Sequence, residues 1–233
     1  MLGFFKRVST DQEFIQAASE LIEAGRFIDS RGWVPATSGN FSVRLSDGNI
    51  AMTVSGRHKG TLRIDDIMRV DADGHPLDGK KPSAETLLHV SLYRRFPKVR
   101  SVLHPHSINA TLAARFFQSE IVLEDYELLK ALSGIDTHES RVVVPIFPND
   151  QNIPRLAAEV DRYLDTGEPV YGYVIASHGF YTWGASVGEA LRHLEALEFL
   201  FDCEIRMHEY PPDERIDHLP RQPSRPRPAD HRF

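Results

Sequence analysis

The sequence predicts an α/β protein in which a mixed sheet carries helices on both faces. Three observations lead there. Strand-like and helix-like stretches alternate irregularly, without the regular strand–helix repeat of a purely parallel doubly wound sheet. Several strands are joined by tight turns, as antiparallel hairpins are. The chain, at 233 residues, is long enough for one sizeable core and too short for two comfortable ones.

The elements follow in order. TDQEFIQAASELIEAGRFI opens with an N-cap threonine, Thr10, and acids in the first turn; Phe14, Ala18, Leu21, Ile22 and Phe27 fall at helical spacing. GNFSVRLSDGNIAMTVSG alternates as a hairpin with Asp47-Gly48-Asn49 at its tip. IMRVDADGHPLDG reads as a strand and a Gly/Pro turn. PSAETLLHVSLYRRF starts a helix on proline and serine, with Glu85 in its first turn and Leu87, Leu88, Leu92 and Tyr93 as an apolar face. VRSVLHPH is a β-branched strand ending on histidines, INATLAARFF a helix, and YELLKALSG a shorter one. RVVVPIF is a strand, and NIPRLAAEVDRYLDTG a helix closed by Gly167. VYGYVIASHGFYTWG gives two strands about a His-Gly turn, and VGEALRHLEALEFLFDCEIRMHEY a long amphipathic helix. Residues 1–210 are expected to form a single domain, and the Pro- and Arg-rich tail at 211–233 to be disordered.

Composition narrows the function. A formal net charge of −6 argues against a nucleic-acid binder that works through a broad basic surface. A single cysteine, Cys203, leaves no intrachain disulfide and no cysteine zinc cluster, and points to a reducing compartment. The N-terminal stretch lacks a signal-peptide pattern, and no stretch approaches the roughly 20 apolar residues of a membrane span. A soluble, cytoplasmic protein with no nucleic-acid or membrane partner is the expectation.

VLHPHSI places His104 and His106 one residue apart. On a strand that persists through Pro105 they would share a face, and neutral imidazole binds zinc and other divalent first-row metals. Taken alone, the pair reads first as a polar strand end. ASHGFYTWG adds His178 at another strand end, beside a glycine that permits a sharp turn; three imidazoles with an open fourth position are the pattern of a catalytic metal. Glu85 is either a helix N-terminal carboxylate or a general base beside that metal. TSGNFS and TVSGRHKG offer backbone N–H groups, hydroxyls, Arg57 and Lys59, a chemistry that suits a phosphate. The nucleotide-binding pattern GxxxxGK[ST] is absent.

The ordered series SGNFS, TVSG, PSAE, HPHS and SHG resembles the class II aldolase/adducin family, over a span from about Thr10 to Tyr210. The resemblance implies a three-layer α/β/α fold with a central mixed, largely antiparallel sheet. It implies one divalent metal per subunit, most often Zn2+, held by His104, His106 and His178, with Glu85 as the acid/base. It places substrate phosphate on Ser38, Gly39, Asn40, Ser55, Gly56 and Ser83, and implies a homotetramer. Where members often have two serines before the glutamate, this chain has Ala84 in the second place, so phosphate binding leans on Ser83, amides and the cations of the second turn. Within the family, TVSGRHKG, PSAETLLH, YELLKALSG with THES, PIFPNDQNI and ASHGFYTWG are most similar to the dehydratase branch of methionine salvage. The implied reaction is loss of water from 5-methylthioribulose 1-phosphate, Glu85 taking the C3 proton and either protonated Glu85 or a water helping the C4 hydroxyl to leave. Sugar-phosphate aldolase and epimerase are the alternatives within the family, and a non-catalytic adducin-like binding module the alternative outside catalysis. Phe41, Leu87, Phe117, Tyr181 and Trp183 could receive the methylthio group but read first as core. The remaining histidines read as structural, with His58 and His138 close enough in sequence to the motifs to reach the site.

Overall fold

The computed structural model describes residues 10–209. The tail at 211–233 lies outside them. The elements are α1 (Thr10–Ser30), β1 (Asn40–Arg44), β2 (Ile50–Thr53), β3 (Ile67–Val70), α2 (Thr86–Arg95), β4 (Ser101–His104), α3 (Ile108–Phe116), β5 (Glu120–Glu124), β6 (Arg141–Phe147), α4 (Ile153–Leu164), β7 (Gly172–Ile175), β8 (Gly179–Gly184) and α5 (Val187–Glu209), with short 3-10 turns between some of them. The strands form one sheet in the order β3-β2-β1-β4-β8-β7-β6-β5. Only β6 and β7 run parallel; the other neighbours are antiparallel.

Two apolar cores follow from alternation along the strands. On one face Phe41, Val43, Leu103, Val174 and Phe180 pack against α1, α3 and α5. On the other Met52, Met68, Val102, Tyr173, Tyr181 and Trp183 pack against α2 and α4. The three-layer α/β/α arrangement is therefore as expected, and so is the largely antiparallel mixed sheet. Phe41, Tyr181 and Trp183 are core residues, with Leu87 and Phe117 half-buried at its margins.

Three local expectations change. EIVLE, unassigned from the sequence, is the edge strand β5, paired along its whole length with β6. YELLKALSG holds only a 3-10 turn over Glu127–Ala131. The strand through VLHPH ends at His104, because Pro105 has no N–H to continue the ladder.

Candidate active site

His104 closes the central strand β4, His106 follows it in a loop, and His178 lies in the β7–β8 turn. Backbone bonds, not strand periodicity, bring them together. His106 N donates to Trp33 O at 2.9 Å, and Phe180 N to Pro105 O at 3.2 Å. Gly179 makes the turn fit: a Cβ there would lie 2.2 Å from Pro105 O and 3.1 Å from His104 Cε1. On the other side Gly39, at φ +74°, lets the TSGN loop close against His104 O, which a Cβ would meet at 2.6 Å. Ring centroids are then 4.6 Å apart for His104–His106, 5.1 Å for His104–His178 and 4.4 Å for His106–His178.

Glu85 completes the group. It stands at the N-cap of α2 but caps nothing with its side chain, so its carboxylate is free to face the imidazoles. Oε1 lies 3.2 Å from His178 Nε2 and Oε2 3.4 Å from His104 Nε2. One ligand atom from each of Glu85, His104, His106 and His178 falls within 4.8 Å of all the others.

The protonation pattern gives this cluster the chemistry to hold a metal. His104 Nδ1 lies 2.8 Å from Phe180 O. A carbonyl only accepts, so the single proton of a neutral His104 sits on Nδ1 and its Nε2 lone pair faces the cluster. Burial drives the His104 pKa well below its ordinary value, the charge of His178 next. Burial pushes His106 down to about 3, helped by His104 and His178. Neutral imidazoles 2.9 Å apart at their Nε2 atoms can share one proton at most. The buried Glu85 Oε1 has no hydrogen-bond partner, a costly arrangement unless a cation sits among these lone pairs. Three nitrogens and a carboxylate oxygen are a donor set that suits zinc.

Behind Glu85 lies a chain of buried polar side chains that sequence reasoning missed. Asn40 Nδ2 donates to Glu85 Oε2 at 2.8 Å, and Asn40 Oδ1 is in hydrogen-bonding contact with His89 Nε2. His89 Nδ1 and Tyr93 Oη each lie 2.7 Å from Ser42 Oγ. Burial pushes the His89 pKa down to about 3, so this imidazole is neutral too. The signal was present as Glu85, His89 and Tyr93 at i, i+4 and i+8 on one helix face, but its partners on β1 were not visible. Beside His104 the ring of Tyr181 stacks at 4.0 Å between centroids.

The predicted phosphate residues divide. Ser55 and Ser83 join Glu85 and His178 around one cavity of about 280 Å³, whose further walls are Asn149, Asp150 and Gln151 of the PNDQN loop. Ser38 lies beside Gly39 with a buried, unpartnered Oγ. Asn40 has its amide engaged with Glu85 and His89, and Gly56, at φ +74°, occupies an exposed turn. Both cations are engaged within the protein rather than turned to the cavity. Lys59 is 1% exposed and donates from Nζ to Thr37 O and Arg57 O, at 3.0 and 2.6 Å, bracing the two Gly-rich turns together. Burial lowers its pKa to about 8. Arg57 pairs with Asp66 at 3.1 Å. His58 and His138 stand apart from the cluster, near Asp29 and Glu127. A larger cleft of about 890 Å³ is lined by Trp183, one of the candidates for the methylthio group, and by His193, but by none of the residues predicted to hold metal or phosphate or to act as acid/base. Among the described residues no helix is long and apolar enough to cross a membrane.

Known proteins resemble this chain in sequence and in fold. The sequence signature of the Class II Aldolase and Adducin N-terminal domain matches residues 19–205. Methylthioribulose-1-phosphate dehydratase of Methylococcus capsulatus is 67% identical over 198 residues, covering 85% of this chain and 97% of that protein. The enzyme of the same name from Pseudomonas syringae pv. syringae is 57% identical over 194 residues, covering 82% and 95%. Among solved structures, YgbL from Escherichia coli superposes with a TM-score of 0.72 at 26% identity, over 85% of this chain and 92% of its own. L-fuculose-1-phosphate aldolase from Thermus thermophilus shares the fold at a TM-score of 0.69 and 23% identity, over 84% and 95%. With its three-layer fold, its histidine cluster and these relatives together, the chain belongs to the class II aldolase/adducin family.

Proposed function

We propose that this chain is a metal-dependent hydro-lyase of methionine salvage. It converts 5-methylthioribulose 1-phosphate to 2,3-diketo-5-methylthiopentyl 1-phosphate and water. The observation that carries the reading is the meeting of Glu85 with three imidazoles beside a cavity that Glu85 and His178 line together with Ser55 and Ser83. The two relatives named methylthioribulose-1-phosphate dehydratase, matched over nearly their whole length, supply the substrate.

His104, His106 and His178 hold the metal, zinc in this reading, one per subunit. When bound it supplies Lewis-acid polarisation of the substrate ketone, which makes the neighbouring C3–H acidic. Glu85 then removes that proton. Its Oε2 is tethered by Asn40 and its Oε1 carries no hydrogen bond, so Oε1 is the oxygen that receives the proton. The C–H electron pair becomes the C3=C4 double bond as the C4–O bond breaks. The C4 hydroxyl leaves as water with the proton returned from Oε1, and Glu85 is again a carboxylate. The enol left behind tautomerises to the 2,3-diketone, so no oxidant or reductant is needed. Ser55, Ser83 and the amides of the Gly-rich turns bind the phosphate and hold C3 and C4 in register with Oε1. The working form is a cytoplasmic homotetramer.

Mass spectrometry of the product made from 5-methylthioribulose 1-phosphate tests the reaction. Loss of one water is expected; a phosphorylated fragment from C3–C4 cleavage would make the chain an aldolase instead. Metal analysis of His104→Ala and Glu85→Gln tests the assignments. The first variant loses zinc, and the second keeps zinc while losing turnover.

A further inference from the structure

We propose that Tyr93, Ser42, His89 and Asn40 form a one-way string of hydrogen bonds that positions the Glu85 carboxylate, with His89 as its central positioning residue. The inference rests on Glu85 being the base of the proposed dehydration.

The direction of every bond is forced. A carboxylate only accepts, so the Asn40 group 2.8 Å from Glu85 Oε2 is the amide NH2. That turns Asn40 Oδ1 toward His89, and an amide oxygen also only accepts. His89 Nε2 therefore carries the proton, and in a neutral imidazole Nδ1 is then an acceptor. The Ser42 hydroxyl, 2.7 Å away, must donate to it. With its proton committed there, Ser42 Oγ can only accept from the Tyr93 hydroxyl. Each donor points along the string toward Glu85, and no member has a choice of orientation. Nothing in the string touches bulk water to any extent: Ser42 and His89 are 0% exposed, Tyr93 4% and Asn40 5%. In such surroundings a broken link leaves a buried group unsatisfied, so the string holds a single arrangement.

The elements explain how this is built. Glu85, His89 and Tyr93 recur every four residues along α2, and Asn40 and Ser42 alternate on β1, so one helix face meets one strand face. His89 also sits edge-on to Tyr181, 5.5 Å between centroids, which itself stacks on His104. The imidazole that orients the base is thus packed through one ring against a predicted metal ligand.

The test uses full-length, zinc-loaded protein and four variants: His89→Leu, His89→Gln, Ser42→Ala and Tyr93→Phe. Turnover of 5-methylthioribulose 1-phosphate, zinc content and the nitrogen NMR shifts of the His89 ring are measured. His89→Leu is expected to lower kcat by about 10–100-fold, the usual effect of losing a residue that orients a reacting group through another. KM should stay within about twofold, because the substrate contacts remain. Zinc should stay at one per chain. His89→Gln can both donate to Asn40 and accept from Ser42, and should recover most of the loss. Tyr93→Phe, which removes one oxygen and carries the test if His89→Leu does not fold, should lower kcat by about fivefold, one hydrogen bond's worth; Ser42→Ala should fall between. Wild-type kcat in both Tyr93→Phe and His89→Leu overturns the proposal. So does a kcat loss that tracks zinc loss, or a His89→Gln variant no better than His89→Leu. The NMR arm stands apart from activity: a neutral, Nε2-protonated His89 supports the string, and an Nδ1-protonated one overturns it. If wild type fails to dehydrate the substrate, the function reading falls and the NMR result still decides the string.

Discussion

Adding one methyl group at two glycines should move this protein in opposite directions. At Gly179 a Cβ would sit 2.2 Å from Pro105 O and 3.2 Å from His106 Cα, about 1 Å inside van der Waals contact with backbone that cannot rotate away. The turn bearing His178 must therefore separate from the loop bearing His106. Overpacking of this kind costs about 1–3 kcal/mol, and for a domain of this size each kcal/mol is worth about 2–4 °C, so Gly179→Ala should melt roughly 2–12 °C below wild type. Because the separation falls between two predicted ligands, zinc affinity and turnover should suffer more than stability; a displacement of about 1 Å at reacting groups can cost about 100-fold. Gly188 is the control. It is exposed near the start of α5, and a Cβ there meets only Ser186 Oγ, at 3.9 Å. Helix propensity should make Gly188→Ala about 0.5–1 kcal/mol more stable, with zinc and turnover unchanged. Calorimetry, metal analysis and steady-state kinetics on both variants decide the matter. A Gly179→Ala protein that melts with wild type and holds a full complement of zinc would refute the close packing of the two loops.

Other consequences are equally specific. Burial raises the Glu198 pKa to about 7, against hydrogen bonds from Ser107 and Asn109 that lower it. The folded state then keeps a proton that the unfolded chain, with a glutamate near 4.3, has already lost, so stability falls as pH rises from about 4 to about 7 and is flat above; the difference is about 4 kcal/mol. Glu198→Gln should therefore raise Tm more at pH about 8 than at pH about 5, and an equal gain at both would sink the assignment. Lys59→Met removes the brace between the Thr37 and Arg57 carbonyls; it should cost about 1–3 kcal/mol and raise KM for the phosphate substrate by about tenfold, with kcat changed less. Chelation should abolish turnover and lower Tm by roughly 10 °C relative to protein at zinc about a thousandfold above Kd, zinc restoring both. Substrate deuterated at C3 should give a product free of deuterium, since the label departs with the leaving water; deuterium at C4 of the product would mean that Glu85 returns its proton to carbon.

Most of the architecture could be read from spacing, because long amphipathic stretches and tip residues such as Asp47-Gly48 declare themselves locally. What failed to show depended on neighbours. β5 is five residues long with only Ile121 and Leu123 buried, and it becomes a strand because β6 lies beside it. The period of two of a strand predicts a shared face for His104 and His106, yet the strand stops between them, and the loop bonds to Trp33 and Phe180 bring the rings together. Lys59 reads as an anion ligand because a cation in a Gly-rich turn usually faces water; here it faces two carbonyls. Asn40 and His89 could not be connected without knowing that β1 and α2 face each other.

The position of Glu85 raises a conflict that the string of donors resolves. A carboxylate within 3.2 Å of His178 Nε2 and 3.4 Å of His104 Nε2 is close enough to serve as a fourth ligand. Four protein ligands make a closed, structural zinc site, whereas three leave a place for substrate. Electrostatics alone favours the closed form, since a cation attracts the carboxylate more strongly than it attracts a neutral ketone. Tethering Oε2 to the Asn40 amide works against that collapse, and the amide is itself held by His89. The two oxygens then have different duties: Oε2 is anchored to the scaffold, and Oε1 stays available to a proton. On this argument a zinc-loaded Asn40→Ala protein keeps its metal and gains a ligand, so its loss of activity comes from a site that binds too completely.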